Sequence, residues 1–148
     1  MSTKAQLEEA LKAAMRASDD LRKRTVRMAL SAIRLAEVEK GEALDENAVQ
    51  TILQKEVKHR QEAIAEAQRA HRPDLEAASR DEIAVLEGFM PKQLSPEELD
   101  SLAQTAVTEV GAMSIKEMGQ VMKVLIPRLQ GRASGDQASQ TVRKLLSG

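Results

Sequence analysis

The chain has no cysteine, tryptophan or tyrosine and a single phenylalanine among its 148 residues. Without cysteine there is no disulfide frame, no thiolate zinc site and no cysteine nucleophile. With Phe89 as the lone aromatic, the core must be packed from Leu, Ile, Val, Met and Ala, mostly residues that favour helices. That composition argues against a β-sandwich or barrel. No apolar run approaches the roughly 20 residues of a membrane span. The start, Met1 to Ala17, is an amphipathic charged segment rather than a basic stretch leading into an apolar one. The expectation is a soluble cytoplasmic protein with no membrane partner.

An excess of charge of one sign is also missing. Lys and Arg number 22 against 23 Asp and Glu, a net charge of -1, so no global field draws the protein onto nucleic acid. Local asymmetry exists instead. From Lys116 to Gly148 six cations (Lys116, Lys123, Arg128, Arg132, Arg143 and Lys144) stand against two acids, Glu117 and Asp136. The preceding stretch, Pro91 to Ile115, leans the other way.

What is present is helical periodicity. Leu7, Ala10, Leu11, Ala14 and Met15 predict a first helix over Lys4 to Ala17. Asp19 and Asp20 cap a second, with Val26, Ala29, Leu30, Ile33 and Ala36 inward, ending at Lys40-Gly41. The two should form a hairpin. Asp45 caps a long third helix (Val49, Ile52, Leu53, Val57, Ile64), which Pro73 stops. A fourth runs from Asp74 to Glu87 and ends at Gly88, expected to be left-handed, before Pro91. A domain boundary is placed there, giving residues 1-90 and 91-148. Beyond it, three serines each stand three residues before Glu or Gln: Ser95 and Glu98, Ser114 and Glu117, Ser134 and Gln137. These read as capping boxes opening three helices. The predicted class is all-α, with seven helices.

Several separated segments carry a family resemblance. Leu53-Gln54-Lys55-Glu56-Val57-Lys58-His59-Arg60, Glu82-Ile83-Ala84-Val85-Leu86-Glu87, Pro91-Lys92-Gln93-Leu94-Ser95, Met118-Gly119-Gln120-Val121-Met122 and Gly131-Arg132-Ala133-Ser134-Gly135 occur in the order in which the YqeY family has them. The resemblance implies a helical N-terminal domain followed by a small three-helix domain similar to the tail of the GatB subunit of glutamine-dependent tRNA amidotransferases. In those relatives the tail contacts tRNA. Related tails on some glutaminyl-tRNA synthetases imply a module that recruits tRNA for a catalytic body located elsewhere. The implied partners are tRNA and an aminoacyl-tRNA synthetase or amidotransferase, with no DNA partner.

No catalytic kit accompanies the resemblance. The serine-rich amidase loop, a Cys-His pair and a phosphate-cradling GxxxxGK[ST] segment are absent. His59 and His71, the only histidines, are expected on or near one helix about 120° apart around its axis, a poor metal pair. Neither a catalytic residue, a metal nor a cofactor is expected. Three functions stay open: a noncatalytic tRNA-binding protein or tRNA-enzyme adaptor, a participant in carbon-nitrogen ligase activity with glutamine as amido donor, and a protein-interaction scaffold without RNA.

The leading site candidate is the Gly131 to Gly135 loop, whose small residues and following helix N-terminus suit an anion. Arg128, Arg132 and Lys123 would hold successive phosphates, with Lys116, Gly131, Gly135, Arg143 and Lys144 completing the surface. The same loop also reads as a plain helix-helix turn. A second basic patch is Lys23, Arg27 and Arg34 on the second helix, where no acid interrupts Arg22 to Arg34. Gly119, expected mid-helix, suggests close packing by a neighbour. Base stacking is not the main device with only Phe89 available, which leaves shape and backbone recognition of a folded RNA.

Overall fold

The computed structural model describes residues 1–147. Among them are seven α-helices, one 3-10 turn and no strand, so the fold is all-α. The helices are α1 (Thr3–Ala17), α2 (Asp20–Lys40), α3 (Glu46–Arg69), α4 (Pro73–Glu87), α5 (Pro96–Val110), α6 (Met118–Leu129) and α7 (Gly135–Ser147), with the 3-10 turn at Ile115–Glu117 before α6. The chain divides into two compact units, Met1–Met90 and Pro91–Gly148.

In the first unit each early helix starts on a side-chain cap. The Ser2 hydroxyl, the Asp19 carboxylate and the Asp45 carboxylate accept from the backbone N–H of Ala5, Arg22 and Ala48, satisfying donors that the first turn leaves open. α1 packs on α2 and α3 on α4, with α2 also lying against α3 and α4. Leu7, Val26, Ala29, Leu30, Ile33, Val49, Leu53 and Leu86 form the core. Each fully buried Leu or Ile there contributes roughly 2 kcal/mol of burial.

Polar groups tie these helices at their ends. The Thr3 hydroxyl donates to Glu46 at 2.8 Å, the Lys4 ammonium to Glu37 at 2.7 Å, and the Gln50 amide to the Phe89 carbonyl at 2.9 Å. Phe89 itself lies under the Arg22 guanidinium, 5.5 Å from its ring centre. The lone aromatic is thus engaged within its own unit.

Two expectations for this unit need correcting. Pro73 does not stop α3: that helix ends at Arg69, His71 takes a left-handed conformation (φ 55), and Pro73 opens α4 at its first position. A proline's missing N–H costs nothing at a helix start, which is where its fixed φ fits. Gly88 is right-handed (φ -62), and the chain leaves α4 through further tight turns, with Phe89 and Met90 donating to Leu86 and Glu87 carbonyls.

The second unit holds α5, α6 and α7 around Leu99, Ala103, Ala106, Val107, Val121, Leu125, Leu129, Ala133, Ala138 and Val142. Small alanines alternate with larger side chains, which lets three short helices approach closely. The capping boxes at Ser95 and Ser134 both form: Glu98 and Gln137 reach back to the serine N–H while each serine hydroxyl accepts from their own. The box at Ser114 does not form. There the chain tightens into the 3-10 turn, and Glu117 accepts from Met113 instead. Gly111 ends α5 left-handed (φ 73), and Gln130 and Gly131 (φ 51 and 74) turn the chain out of α6.

Candidate nucleic-acid interface

The residues proposed from sequence as the anion loop hold the second unit together. Leu94 N–H donates to the Arg132 carbonyl at 2.8 Å, and Arg132 Nε donates back to the Lys92 carbonyl at 2.9 Å. The Pro91 to Ser95 and Gly131 to Gly135 segments therefore clasp each other. Ala133 is buried in the core, and a Cβ on Gly135 would meet the Ile126 side chain at 3.9 Å. At the start of α7 the Ser134 and Gln137 box already occupies backbone N–H groups that an anion would otherwise find.

The two loop arginines have carboxylate partners. Arg128 Nη2 lies 2.6 Å from Glu109 Oε2, and Arg132 Nη2 lies 3.8 Å from Glu98 Oε2. The hydrogen bond to Glu109 raises the Arg128 pKa above its ordinary value, and the same bond lowers that of Glu109. Both arginines are partly exposed, and exposed pairs of this kind are weak and screened by salt. A phosphate would compete with a carboxylate for either guanidinium rather than fill an open one.

The remaining cations are placed differently. Lys116, in the 3-10 turn, and Lys123, on α6, are both exposed. Arg143 and Lys144 are exposed on α7. None of these four makes an ion pair with another described residue. Lys123 and Arg128, five positions apart, point about 140° away from each other around α6, so they do not form one row with Arg132.

Gly119 lies between Lys116 and Lys123 in the chain and is itself exposed, and a Cβ there would meet nothing within 4 Å. This corrects two expectations: the glycine is the second residue of α6 rather than central, and no neighbour among the described residues packs on it. Pro127, also exposed, lacks the N–H from which the Lys123 carbonyl would otherwise accept.

On α2, Lys23, Arg27 and Arg34 do share one stripe. Lys23 sits 3.7 Å from Asp20, while Arg27 and Arg34 are exposed. The sequence reading missed the charge cluster beneath them. Arg60 is buried, its side chain 7% exposed, with Nε 3.0 Å from Glu82 Oε2 and Nη1 3.3 Å from Glu56 Oε1. Arg24 reaches the other Glu82 oxygen at 3.1 Å. Arg60 falls seven positions after Leu53 and seven before Ala67, both buried. A charged residue on the continuation of an apolar stripe was the signal available.

The two histidines stand apart from each other. His59 is exposed and 3.8 Å from Glu56, and His71 is exposed in a turn rather than on a helix. A shallow depression on α5 is lined by Ser101, Gln104, Thr105, Thr108 and Glu109, all from one face of that helix. Among the described residues no group of three His, Asp or Glu gathers as for a metal, and no helix is long and apolar enough to cross a membrane.

Comparison with known proteins bears on the whole chain. Two relatives carry the name Altered inheritance of mitochondria protein 41, mitochondrial. That of Lachancea thermotolerans is 34% identical over 109 residues, covering 72% of this chain and 58% of the relative. That of Kluyveromyces lactis is 35% identical over 109 residues, covering 72% and 59%. The chain thus spans less than two thirds of the length of these relatives. Their names overturn the cytoplasmic expectation. It rested on the lack of cysteine and of an apolar leading segment, and a chain without thiols is indifferent to the redox poise that would separate compartments. The family model described as Yqey-like protein matches residues 4–146, nearly every element described above, and the chain belongs to that family.

Proposed function

We propose that this protein is a noncatalytic tRNA-binding protein or tRNA-enzyme adaptor whose RNA contact lies in the second unit, on the face that carries Lys116, Gly119 and Lys123. The observation that carries the reading is the pairing of two exposed lysines, neither neutralised within the chain, with a glycine that leaves the α6 backbone open between them. Phosphates are held by cations that need not be pulled from a carboxylate first, and a missing Cβ lets a sugar-phosphate backbone come close. Arg143 and Lys144 add exposed cations on α7, and Arg128 and Arg132 become available where phosphate displaces Glu109 and Glu98.

The resemblance to the GatB tail supplies the class of RNA. The side chains favour shape recognition, since Phe89 is occupied by Arg22 and offers no stacking platform. Binding rather than catalysis is favoured by where the titratable groups lie: the histidines are exposed and separate, and the charged cluster around Arg60 is internally paired.

Substitution at Gly119 tests this reading directly. Gly119→Leu has room in the free protein and should leave thermal stability within a few degrees of wild type, while it weakens tRNA binding at least tenfold. Wild-type tRNA affinity in that variant would remove the proposed face.

A further inference from the structure

The exposed side of α2 carries a pattern that RNA contact by the second unit leaves unused. From Leu21 to Ala36 the helix has no acidic residue. Arg27 is followed by Met28, and seven positions later Arg34 is followed by Leu35. Seven residues make about two helical turns, so the guanidinium-bearing positions line up along one row and the aliphatic positions along a second row about 100° round the helix. Val38, one turn beyond Leu35, falls about 20° from the Arg27 position and so beside the arginine row, and Arg24 lies between the two rows one turn before Met28.

Met28, Leu35 and the neighbouring Val38 are not part of the core, although the Met28 sulfur lies 3.7 Å from Arg60 Nη2. Met28 is 50%, Leu35 61% and Val38 78% exposed, although the core positions of the same helix, Val26, Ala29, Leu30 and Ile33, are fully buried on its other side. One exposed aliphatic residue is ordinary, but three on one helix face at heptad-related spacing form a seam. The flanking row decides what fits it. Arg27 has no carboxylate partner among the described residues, and Arg24, though paired with Glu82, remains more than half exposed.

We infer that this face docks an acidic amphipathic helix of a partner protein, with the partner's aliphatic residues against Met28, Leu35 and Val38 and its carboxylates along Arg27 and Arg34. Charge selects this occupant. A second copy in an antiparallel α2 to α2 pairing would set guanidinium rows beside each other, which costs free energy. A nucleic-acid backbone would satisfy the arginines yet leave three aliphatic side chains against phosphate and sugar. A helix laid in the seam meets both rows at once, the mode in which an apolar stripe gives affinity and edge charges give orientation. The inference does not depend on RNA contact by the second unit.

The test uses the full chain and a designed helical peptide with Leu at heptad core positions and Glu along the flanking edges, beside a control peptide with Lys in place of each Glu. The Glu peptide should bind saturably and the Lys peptide at least tenfold more weakly. Leu35→Ser should weaken the Glu peptide at least tenfold. Arg27→Glu/Arg34→Glu should reverse the preference, so that the Lys peptide now binds better, a gain that a misfolded variant would not give. Failure of the Glu peptide to bind, or equal binding by wild type and the reversed variant, overturns the inference. So does the finding that the same substitutions abolish tRNA binding, vesicle binding or self-association while peptide binding is unchanged.

Discussion

Arg60 shows how much a single side chain can escape a pattern-based reading. The apolar stripe of α3 (Val49, Leu53, Ala67) passes through its position, yet a guanidinium fills it and is satisfied by Glu82, Glu56 and the Glu56 carbonyl. Burying a charge is costly unless it is paired, and breaking such a pair strands the remaining charges. Arg60→Ala should therefore destabilise the first unit by about 3 kcal/mol in denaturant unfolding. Replacing Arg60, Glu56 and Glu82 together by Met, Gln and Gln should recover much of that loss. Equal losses in the single and triple variants would contradict a paired-charge account.

Glu98 is the corresponding residue in the second unit. The Ser95 backbone N–H, then the Ser95 side chain, and then the nearby Arg132 and Lys92 charges hold its pKa below the ordinary glutamate value. Hydrogen bonding to Lys4 acts likewise on Glu37, and to Arg128 on Glu109. A carboxylate whose folded pKa is depressed contributes stability that is present above its unfolded pKa and lost as pH falls through the folded one. The contribution of these three carboxylates should therefore be fully present near neutral pH and fall away as pH drops from the unfolded glutamate value of about 4.3 through the lower folded one. A carboxyl titration by NMR should place the Glu98 midpoint below that of an unstructured glutamate, and Ser95→Ala should move it partway back up. An unshifted midpoint in the wild type would contradict the box as described.

At the scale of elements, the helices were legible because apolar spacing, side-chain caps and terminal glycines agree with one another. α1 (Thr3–Ala17) starts one residue before the expected Lys4 and ends at the expected Ala17, and α2 runs from Asp20 to Lys40, between its expected bounds Asp19 and Gly41. The differences come from cases where one local signal has two outcomes. Pro73 can end one helix or start the next, and the left-handed His71 before it decides for a start. Ser95 and Ser114 carry the same spacing to glutamate, but Pro96 fixes the first helical position after Ser95, whereas the chain after Ser114 tightens into a 3-10 turn. Ser95→Ala should accordingly cost about 1 kcal/mol of second-unit stability. Ser114 makes no side-chain cap bond, so Ser114→Ala should cost well under half as much. Thermal melts of both variants would separate them, and equal losses would mean that the two turns are capped alike.

At the scale of the whole molecule, two small helical cores are each closed by polar links that sequence periodicity does not display. The Gly131 to Gly135 segment was legible as special but not as a clasp, because its partner, Pro91 to Ser95, lies about 40 positions away in the chain and only tertiary folding reveals the hydrogen bonds. Likewise the six cations between Lys116 and Gly148 were countable in the sequence, while their division into carboxylate-paired Arg128 and Arg132 and the four others was not. Charge counting gives an upper bound on how many phosphates can be held, and pairing determines which of them are held cheaply.

RNA contact through the α6 face is tested most directly by titrating the full chain with tRNA from about 50 to about 200 mM salt. Affinity should fall linearly on logarithmic axes. Lys116→Glu/Lys123→Glu should bind at least tenfold more weakly and lower the slope by about two, roughly one for each phosphate that a lysine no longer neutralises. An affinity independent of salt, or a double variant that binds tRNA with the wild-type affinity and slope, would contradict it.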